Sequence, residues 1–434
     1  MKTIAFYTLG CKVNQSDTAS MEKLFRSAGY KVVDFSAKAD VYLVNTCVVT
    51  NMGQSKSRKI IHKAVRQGPG ALVVVTGCYP QTFPDEVKEI RGVDLIVGNQ
   101  DRNKIVNLVE EAYGRQRTDT VNAVHKLEMG SRFEEMNADE GTHKTRAFLK
   151  IQEGCNQFCT YCIIPYARGP LRSRSLSNIT SEVANLVAVG FKEVVLIGIH
   201  LGAYGRENKE GNTLVMAVKA ALVVPGLARL RLGSLESVEV DDQLLDLMVE
   251  DTRVCPHLHL PLQSGCDKVL AAMHRPYTTE KFTEMLNKVR ARLPNISITT
   301  DVIVGFPGEE DEDFAKSLEY IKKCNFSKIH IFPYSQRKGT PAETYQGQVA
   351  PMIKQKRAAE LELLDEAGHR SFCEKLIGQT VSVIMEMQTT KGVWEGLSSG
   401  YVRVFARGDV TCAGKLKLVK VEKLYKDGVF GSFL

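Results

Sequence analysis

The stretch Ala147-Phe148-Leu149-Lys150-Ile151-Gln152-Glu153-Gly154-Cys155-Asn156-Gln157-Phe158-Cys159-Thr160-Tyr161-Cys162 joins an apolar, strand-like run to three cysteines in the order Cys-x3-Cys-x2-Cys. Three thiolates this close can hold three irons of a four-iron cluster, and with no fourth local cysteine one iron keeps an open coordination position. Zinc is the alternative, because Cys3His is a known structural set. No histidine stands at finger spacing from these cysteines, and closed zinc sites usually show paired Cys-x2-Cys arms, so spacing favours the cluster.

Downstream, strand-like runs recur at 193–199, 229–233, 258–262, 296–304 and 328–332, with helical patterns between them such as 181–189, 242–249, 280–292 and 313–323. With the run at 147–152 these make six β/α units. That is too few for a closed eight-fold barrel and suits an open, partial (β/α)6 barrel over residues 146–374.

Upstream, short apolar runs at 4–9, 41–46, 72–76 and 94–97 alternate with helical patterns. Ser16 or Asp17 is placed to cap the first helix, which ends at Gly29; later ones run over about 54–66 and 104–113. Residues 1–114 therefore read as an open parallel α/β sheet. Cys11, Cys47 and Cys78 each come just past a strand's C-terminal end, the edge where ligands of such sheets bind. A lone buried cysteine is usually inert packing. Three at the same strand position supply a second set of thiolates with one open iron.

Residues 115–145 are polar and aperiodic and read as a linker. Residues 375–434, after a helix over about 352–376, show β periodicity at 380–385, 401–405 and 415–421. Nine Lys or Arg against five Asp or Glu put +4 of the chain's net +7 in this tail. A small basic β-barrel is an RNA-binding module, the plain alternative being a β-domain with a solvated charged face. Trp394 and Tyr401 could stack on bases, although a small barrel needs aromatics in its core.

The chain has 434 residues, 44% of them hydrophobic and 25% charged, which excludes disordered, collagen-like and mini-protein classes. No run approaches the eighteen apolar residues of a membrane helix. Leu9-Gly10-Cys11 faintly resembles a lipoprotein processing site, but the segment before it is too short and polar. The N-terminus reads as mature and the chain as cytoplasmic, where eleven cysteines stay reduced and point to metal binding or catalysis.

Cys155-x3-Cys159-x-Tyr161-Cys162, at the end of the first strand of a partial β/α barrel, resembles the signature of the radical S-adenosylmethionine (SAM) superfamily. The resemblance implies a 4Fe-4S cluster whose open iron chelates SAM, with Tyr161 by the adenine. Two three-cysteine sets, an α/β domain before the barrel and a TRAM-like β-barrel after it resemble the methylthiotransferase family over the whole chain. The match extends to Thr8-Leu9-Gly10-Cys11-Lys12-Val13-Asn14-Gln15, Asn45-Thr46-Cys47-Val48-Val49-Thr50-Asn51, Gly77-Cys78, Pro261-Leu262-Gln263-Ser264-Gly265 and Asp301-Val302-Ile303-Val304-Gly305-Phe306-Pro307-Gly308-Glu309. The Leu-Gly-Cys-Lys-Val-Asn and Asn-Thr-Cys-Val-Val-Thr-Asn segments resemble the branch that methylthiolates C2 of threonylcarbamoyladenosine at position 37 of tRNA.

That resemblance implies two 4Fe-4S clusters, one on Cys155, Cys159 and Cys162 and an auxiliary one on Cys11, Cys47 and Cys78, with two SAM consumed. It implies a tRNA substrate and a flavodoxin- or ferredoxin-type electron donor; no membrane is expected, and a monomer is favoured although the sequence does not fix the oligomeric state. Isopentenyladenosine tRNA or a ribosomal-protein aspartate is the alternative substrate within the family; outside it stands a zinc-stabilised RNA-binding protein. SAM contacts are expected of Tyr161, Gly198, Glu236, Gln263, Asp301, Val304 and Phe332. Arg168, Arg172 and Arg174 are placed for a carboxylate or the tRNA backbone, and Asn14 and Asn45 for the substrate base. Cys255, His257 and His259 alternate onto one strand face and read as barrel core, with no metal assigned.

Overall fold

The computed structural model describes residues 1–115, 119–137, 145–390, 392–408 and 412–434. Strands β1 (Thr3–Thr8), β2 (Lys31–Val33), β3 (Val41–Thr46), β4 (Leu72–Gly77), β5 (Leu95–Val97) and β6 (Val121–Ala123) form one parallel sheet in the order β2-β1-β3-β4-β5-β6. Unbroken apolar runs become β3 and β4, buried at every residue because helices cover both faces. The α/β reading of this unit holds, with two edge strands added. One of them, β6, lies in the polar stretch expected to be a bare linker, whose residues 116–118 and 138–144 lie outside the described residues. Three residues pairing at a sheet edge leave no periodicity to detect.

The first helix also departs from expectation. It runs Lys12–Ser27 with Cys11 at its N-cap, so Ser16 and Asp17 lie inside it and are buried. They face the next unit rather than water.

That unit begins with β7 (Ala147–Lys150), followed by the short antiparallel pair β8 (Gln152–Glu153) and β9 (Arg172–Ser173). Strands β10 (Glu193–Ile197), β11 (Arg229–Leu232), β12 (His257–His259), β13 (Ser297–Val304) and β14 (Lys328–Pro333) complete six parallel barrel strands. They fall in two three-stranded halves, joined between β11 and β12 by parallel bridges at Leu230–Val254 and Ser234–His259. The open, partial barrel is therefore as read from the six repeats. The strand expected at 258–262 ends at His259, before Pro261, which has no N–H to donate.

Alternation sorts the barrel strands. Val194 and Leu196 face the outer helices, while Val195 and Ile197 face inward and receive Val13 of the first helix. The first unit thus packs against the barrel's inner face. The contact is pinned by buried charges: Asp17 accepts from Arg102 at 2.5 Å, Lys150 at 2.5 Å and Arg168 at 3.0 Å. Glu153 accepts from Lys150 at 2.7 Å and Arg168 at 2.9 Å.

The helix Pro351–Glu374 leads to a closed five-stranded barrel of β15 (Thr380–Thr390), β16 (Val393–Ser398), β17 (Arg403–Arg407), β18 (Leu416–Tyr425) and β19 (Gly428–Phe433). Strands β16 and β19 left no periodic signal: β16 carries Gly396, and β19 carries Gly428 and Gly431, residues that strands disfavour. This barrel closes the N-terminal end of the larger one. Arg231 donates to the carbonyls of Ser398 and Ser399, Arg229 to Ser382 and Leu397, and both pair with Glu193. Trp394 fills the small barrel's core, and Tyr401 stacks on His257 at 4.9 Å between ring centres, so neither is free to stack on a base.

Asp17→Asn should cost about 3–5 kcal/mol, because it leaves buried cations uncompensated; urea denaturation measures it. Burial would raise both carboxyls, but the surrounding cations hold Asp17 far below its ordinary range and Glu153 down to about 2. A depressed carboxylate stabilises the fold above its unfolded pKa, so this contribution should fade as pH falls from about 5 toward 2.

Candidate active site between two thiol sets

Cys11 caps the first helix, Cys47 follows β3, and Cys78 opens the helix Cys78–Thr82 directly after β4. Three parallel strands therefore deliver their cysteines to one sheet edge. Gly10, at φ +99°, lets the chain turn there; a Cβ on it would lie 2.9 Å from the Cys47 Cβ and 3.1 Å from its sulfur. Asn14 straps the edge, its amide donating to the carbonyls of Leu9 at 2.7 Å and Thr46 at 2.9 Å. The Asn45 amide donates to the Asn14 carbonyl at 2.9 Å. Both asparagines are buried; the Asn14 Oδ1 accepts from Arg168, the Asn45 amide also reaches the Thr18 hydroxyl, and the Asn45 Oδ1 has no hydrogen-bond partner among the described residues.

Cys155, Cys159 and Cys162 occupy the loop after β8. Arg275 donates to the Cys159 sulfur at 3.2 Å and also pairs with Glu236. His200 Nδ1 lies 3.6 Å from the Cys155 sulfur, and its Nε2 lies 2.8 Å from Glu239. Burial alone would lower the His200 pKa; the bonds to Cys155 and Glu239 push it up to about 10 instead.

Arg168 connects the two sets. Six residues beyond Cys162, its Nε donates to the Cys78 sulfur at 3.2 Å, while Asp17, Glu153 and Asn14 hold the rest of the guanidinium. Arg168 is fully buried, so it serves neither solvent nor a tRNA backbone. Arg174 donates to the carbonyls of Lys150 and Met136, and Arg172 to that of Arg168. All three arginines are buried and bonded inside the protein, where Arg168 meets carboxylates, those of Asp17 and Glu153, and not the tRNA backbone, the other expectation from the sequence. Their side chains were drawn in by carbonyls and carboxylates that only the fold assembles.

The spacing of the thiols tests which metal they fit. Among the described residues, the one group of three ligand atoms mutually within 4.8 Å is His259, Asp301 and His330. Neither cysteine set is that tight. A single zinc binds sulfur at about 2.3 Å, so its ligands lie within about 4.6 Å of one another. As placed, neither thiol set is gathered closely enough for one zinc ion, and the donor set of three thiolates with no histidine at finger spacing is that of an iron-sulfur cluster.

The residues expected to hold SAM divide. Tyr161 lies by Arg275 and, like Ile303, packs against the small core around Phe306 and Tyr334, and Glu236 pairs with Arg275 near Cys159. Gly198 sits over Gln152, where a Cβ would meet the glutamine at 2.9 Å. Gln263 adopts φ +66°, its N–H donating to the Asp301 carbonyl; such a strained residue is typical of a binding edge. Asp301 reaches His259 at 3.2 Å, and Phe332 is exposed. Val304 is the exception: alternation along β13 turns it outward into the core under the helices, and Ile303 takes the inward position. Arg275, His200 and Ile303 were not anticipated. Only Arg275 left a trace, in the His274-Arg275-Pro276-Tyr277 run, and that trace carries no spacing to any cysteine.

Burial pushes the Cys47 thiol up to about 11, with the charge of Cys78 adding to it, and the Cys162 thiol up to about 12. Because the thiolate is the reactive form, both should resist iodoacetamide at pH 8 in the metal-free chain. Labelling should rise about tenfold per pH unit until pH approaches 11. Peptide mass spectrometry follows each cysteine separately, and rapid labelling at pH 8 would contradict the buried environment.

Comparison with known proteins follows the same division of the chain. Residues 3–98 match the model of an uncharacterized protein family, UPF0004, and residues 149–321 match the radical SAM superfamily. The threonylcarbamoyladenosine tRNA methylthiotransferase MtaB of Bacillus subtilis is 40% identical over 99% of this chain and 96% of its own. The protein of that name from Aquifex aeolicus is 41% identical over 88% and 92%. A tRNA-2-methylthio-N(6)-dimethylallyladenosine synthase of Fusobacterium nucleatum is 32% identical over the full length of both. Among solved structures, the radical SAM methyltransferase TsrM of Kitasatospora setae shares the fold, with TM-score 0.62 and 16% identity over 85% of this chain and 90% of that one. By length, domain order and identity, this chain belongs to the methylthiotransferase family of radical SAM proteins.

Proposed function

We propose that the protein methylthiolates C2 of threonylcarbamoyladenosine at position 37 of tRNA. The observation that carries this reading is Arg168, which begins its chain segment at one thiol set and ends hydrogen-bonded to the other. A radical generator and a sulfur donor must face one substrate carbon, and a buried arginine spanning the two sets holds them in one fixed relation. Cys155, Cys159 and Cys162 would hold the cluster that binds SAM; Cys11, Cys47 and Cys78 would hold the auxiliary cluster. Bound, the clusters and SAM supply a carbon radical that takes the C2 hydrogen and a sulfur that replaces it, chemistry no acid or base can perform on that carbon.

The chain's own residues set the conditions. Arg275 and Arg168 each donate to one cysteine sulfur, and such hydrogen bonds, with the positive charge behind them, raise a cluster's potential. Glu236, Tyr161 and Gln263 line the side of the barrel where SAM would lie. The working units are 1–114 for the auxiliary cluster, 146–374 for the radical SAM barrel and 375–434 for RNA, in a monomeric cytoplasmic enzyme fed by a flavodoxin- or ferredoxin-type donor. Relatives of the threonylcarbamoyl branch are 32–41% identical and those of the dimethylallyl branch 30–33%, and the values of 40 and 41% both fall in the former, which supports this substrate over the alternative. The match to the radical SAM superfamily and to full-length methylthiotransferases disfavours the structural-zinc reading.

Mass spectrometry of tRNA nucleosides from cells with and without the protein tests the substrate directly. Loss of the methylthio form of threonylcarbamoyladenosine is expected; loss of the isopentenyl counterpart instead would reassign the substrate.

Cys47→Ala separates the two roles. The variant should still release 5'-deoxyadenosine from SAM while forming no methylthio product, with iron content falling from about eight to about four per chain. Normal methylthiolation would remove the first unit from the chemistry.

Truncating the tail is a poor test of RNA binding, because it would uncover Arg229, Arg231 and Glu193. The exposed Lys415, Lys420 and Lys423 on and beside β18 can be altered without that damage. Changing all three to glutamine should weaken tRNA binding and flatten the log–log salt slope by about 0.7–0.9 for each phosphate no longer neutralised.

A further inference from the structure

Lys12 directly follows Cys11, and its ammonium reaches to 5.4 Å from the centre of the Tyr401 ring at the floor of the large barrel. Two other cations face that ring, and both are tied to carboxylates: Arg231 to Glu193 at 2.7 Å and Arg146 to Glu386 at 3.0 Å. Lys12 has no carboxylate partner among the described residues and remains solvent-accessible. The inward faces of β12, β13 and β14 bring His257, His259 and His330 toward the same space. His259 shares Thr299 Oγ1 with His257 and lies 5.6 Å from the His330 ring. Ser297, Thr299, His330 and Tyr401 line one side of a neighbouring cavity of about 270 Å3 whose other side carries Arg403 and Asp427; Lys12 and His259 stand outside its lining.

The charge balance selects the kind of ligand. His259, Asp301 and His330 are close enough for a cation, but Lys12, which no carboxylate neutralises among the described residues, repels one, whereas Arg146 and Arg231 are already paired. Burial, helped by Arg231, Lys12 and the neighbouring histidines, holds His257 neutral, and Lys12, Arg146 and Arg231 draw the Tyr401 hydroxyl below its ordinary pKa against the effect of burial. The space suits an anion with hydrogen-bonding neighbours.

Resting on the proposed function, we propose that Lys12, set against Tyr401 beside Arg146 and Arg231, receives the carboxylate of the substrate's threonyl group. Lys12 directly follows Cys11, so an adenine held with its C2 at the auxiliary thiol set would lie in the neighbourhood of the ammonium. The carboxylate is the one negative group on the modified base, and an uncharged alkyl substituent has nothing to offer Lys12. A lysine left without its anion then selects against the wrong substrate as well as for the right one.

The test uses the full chain with its clusters and two anticodon stem-loop RNAs, one carrying threonylcarbamoyladenosine and one its neutral carboxamide analogue. Wild type should bind the carboxylate RNA about tenfold or more tightly. Lys12→Met should lose that preference by weakening only the carboxylate RNA, Lys12→Arg should keep much of it, and iron content and SAM affinity should not change. Equal binding of both RNAs by wild type overturns the inference. So does a Lys12→Met variant that weakens both RNAs alike, or one that weakens SAM, whose own carboxylate would then be the anion. Stoichiometric zinc bound by wild type and lost with His330→Ala would make the space a metal site and overturn it equally. Wild type that methylthiolates neither RNA fails the proposed function itself, and this inference with it.

Discussion

Everything at the site depends on one buried group of charges. Asp17, inside the first helix, accepts from Arg102, Lys150 and Arg168, and Glu153 shares two of these partners. Asp17 and Arg102 come from the first unit and the others from the barrel segment, so the network exists only when the two units meet in one register. Any slip would strand charges without water or partner. Such networks add little net stability relative to apolar packing, but breaking one is expensive, which makes them devices of alignment. What is aligned is the thiol edge of a parallel sheet against the thiol loop of a barrel.

A second constraint comes from the opposite end. The small β-barrel seats on the start of β10, β11 and β12 through Arg229, Arg231 and Glu193, and Tyr401 closes the opening against His257. A module with exposed lysines is therefore held at a fixed distance and angle from the thiols, not tethered by a loose linker. For a substrate that must present one carbon of one base, a rigid relation between the RNA-holding surface and the reacting groups lowers the entropy lost on positioning.

How far the site was legible varies from residue to residue. The six cysteines were visible because local spacing or a shared position at strand ends is itself a sequence property. Asn14, Asn45, Arg168, Arg172 and Arg174 were visible as polar residues beside cysteines, but their partners inside the protein were not. Adjacency in sequence says that a group is near, not what it touches. Val304 failed for a simpler reason: period-two alternation along β13 decides between Val304 and Ile303, and a one-residue error in phase reverses the answer. Arg275 was missed because its partner Cys159 lies more than a hundred residues away.

The sequence by itself determined the three-part architecture, the parallel α/β character of the first unit, the six-strand repeat of the second and the two cysteine sets. All of these follow from periodicity, composition and spacing, which are local. Only the tertiary structure decided that the first helix packs on the barrel's inner face, that three arginines are internal braces and that Tyr401 is a floor. Burial and ion pairing between distant segments have no local signature, since a charged residue reads the same whether its counter-charge is water or an aspartate from another unit. Lys12 shows the same limit from the other side. It is one lysine among many in the sequence, and only the assembled structure sets it against Tyr401 with no carboxylate partner of its own among the described residues.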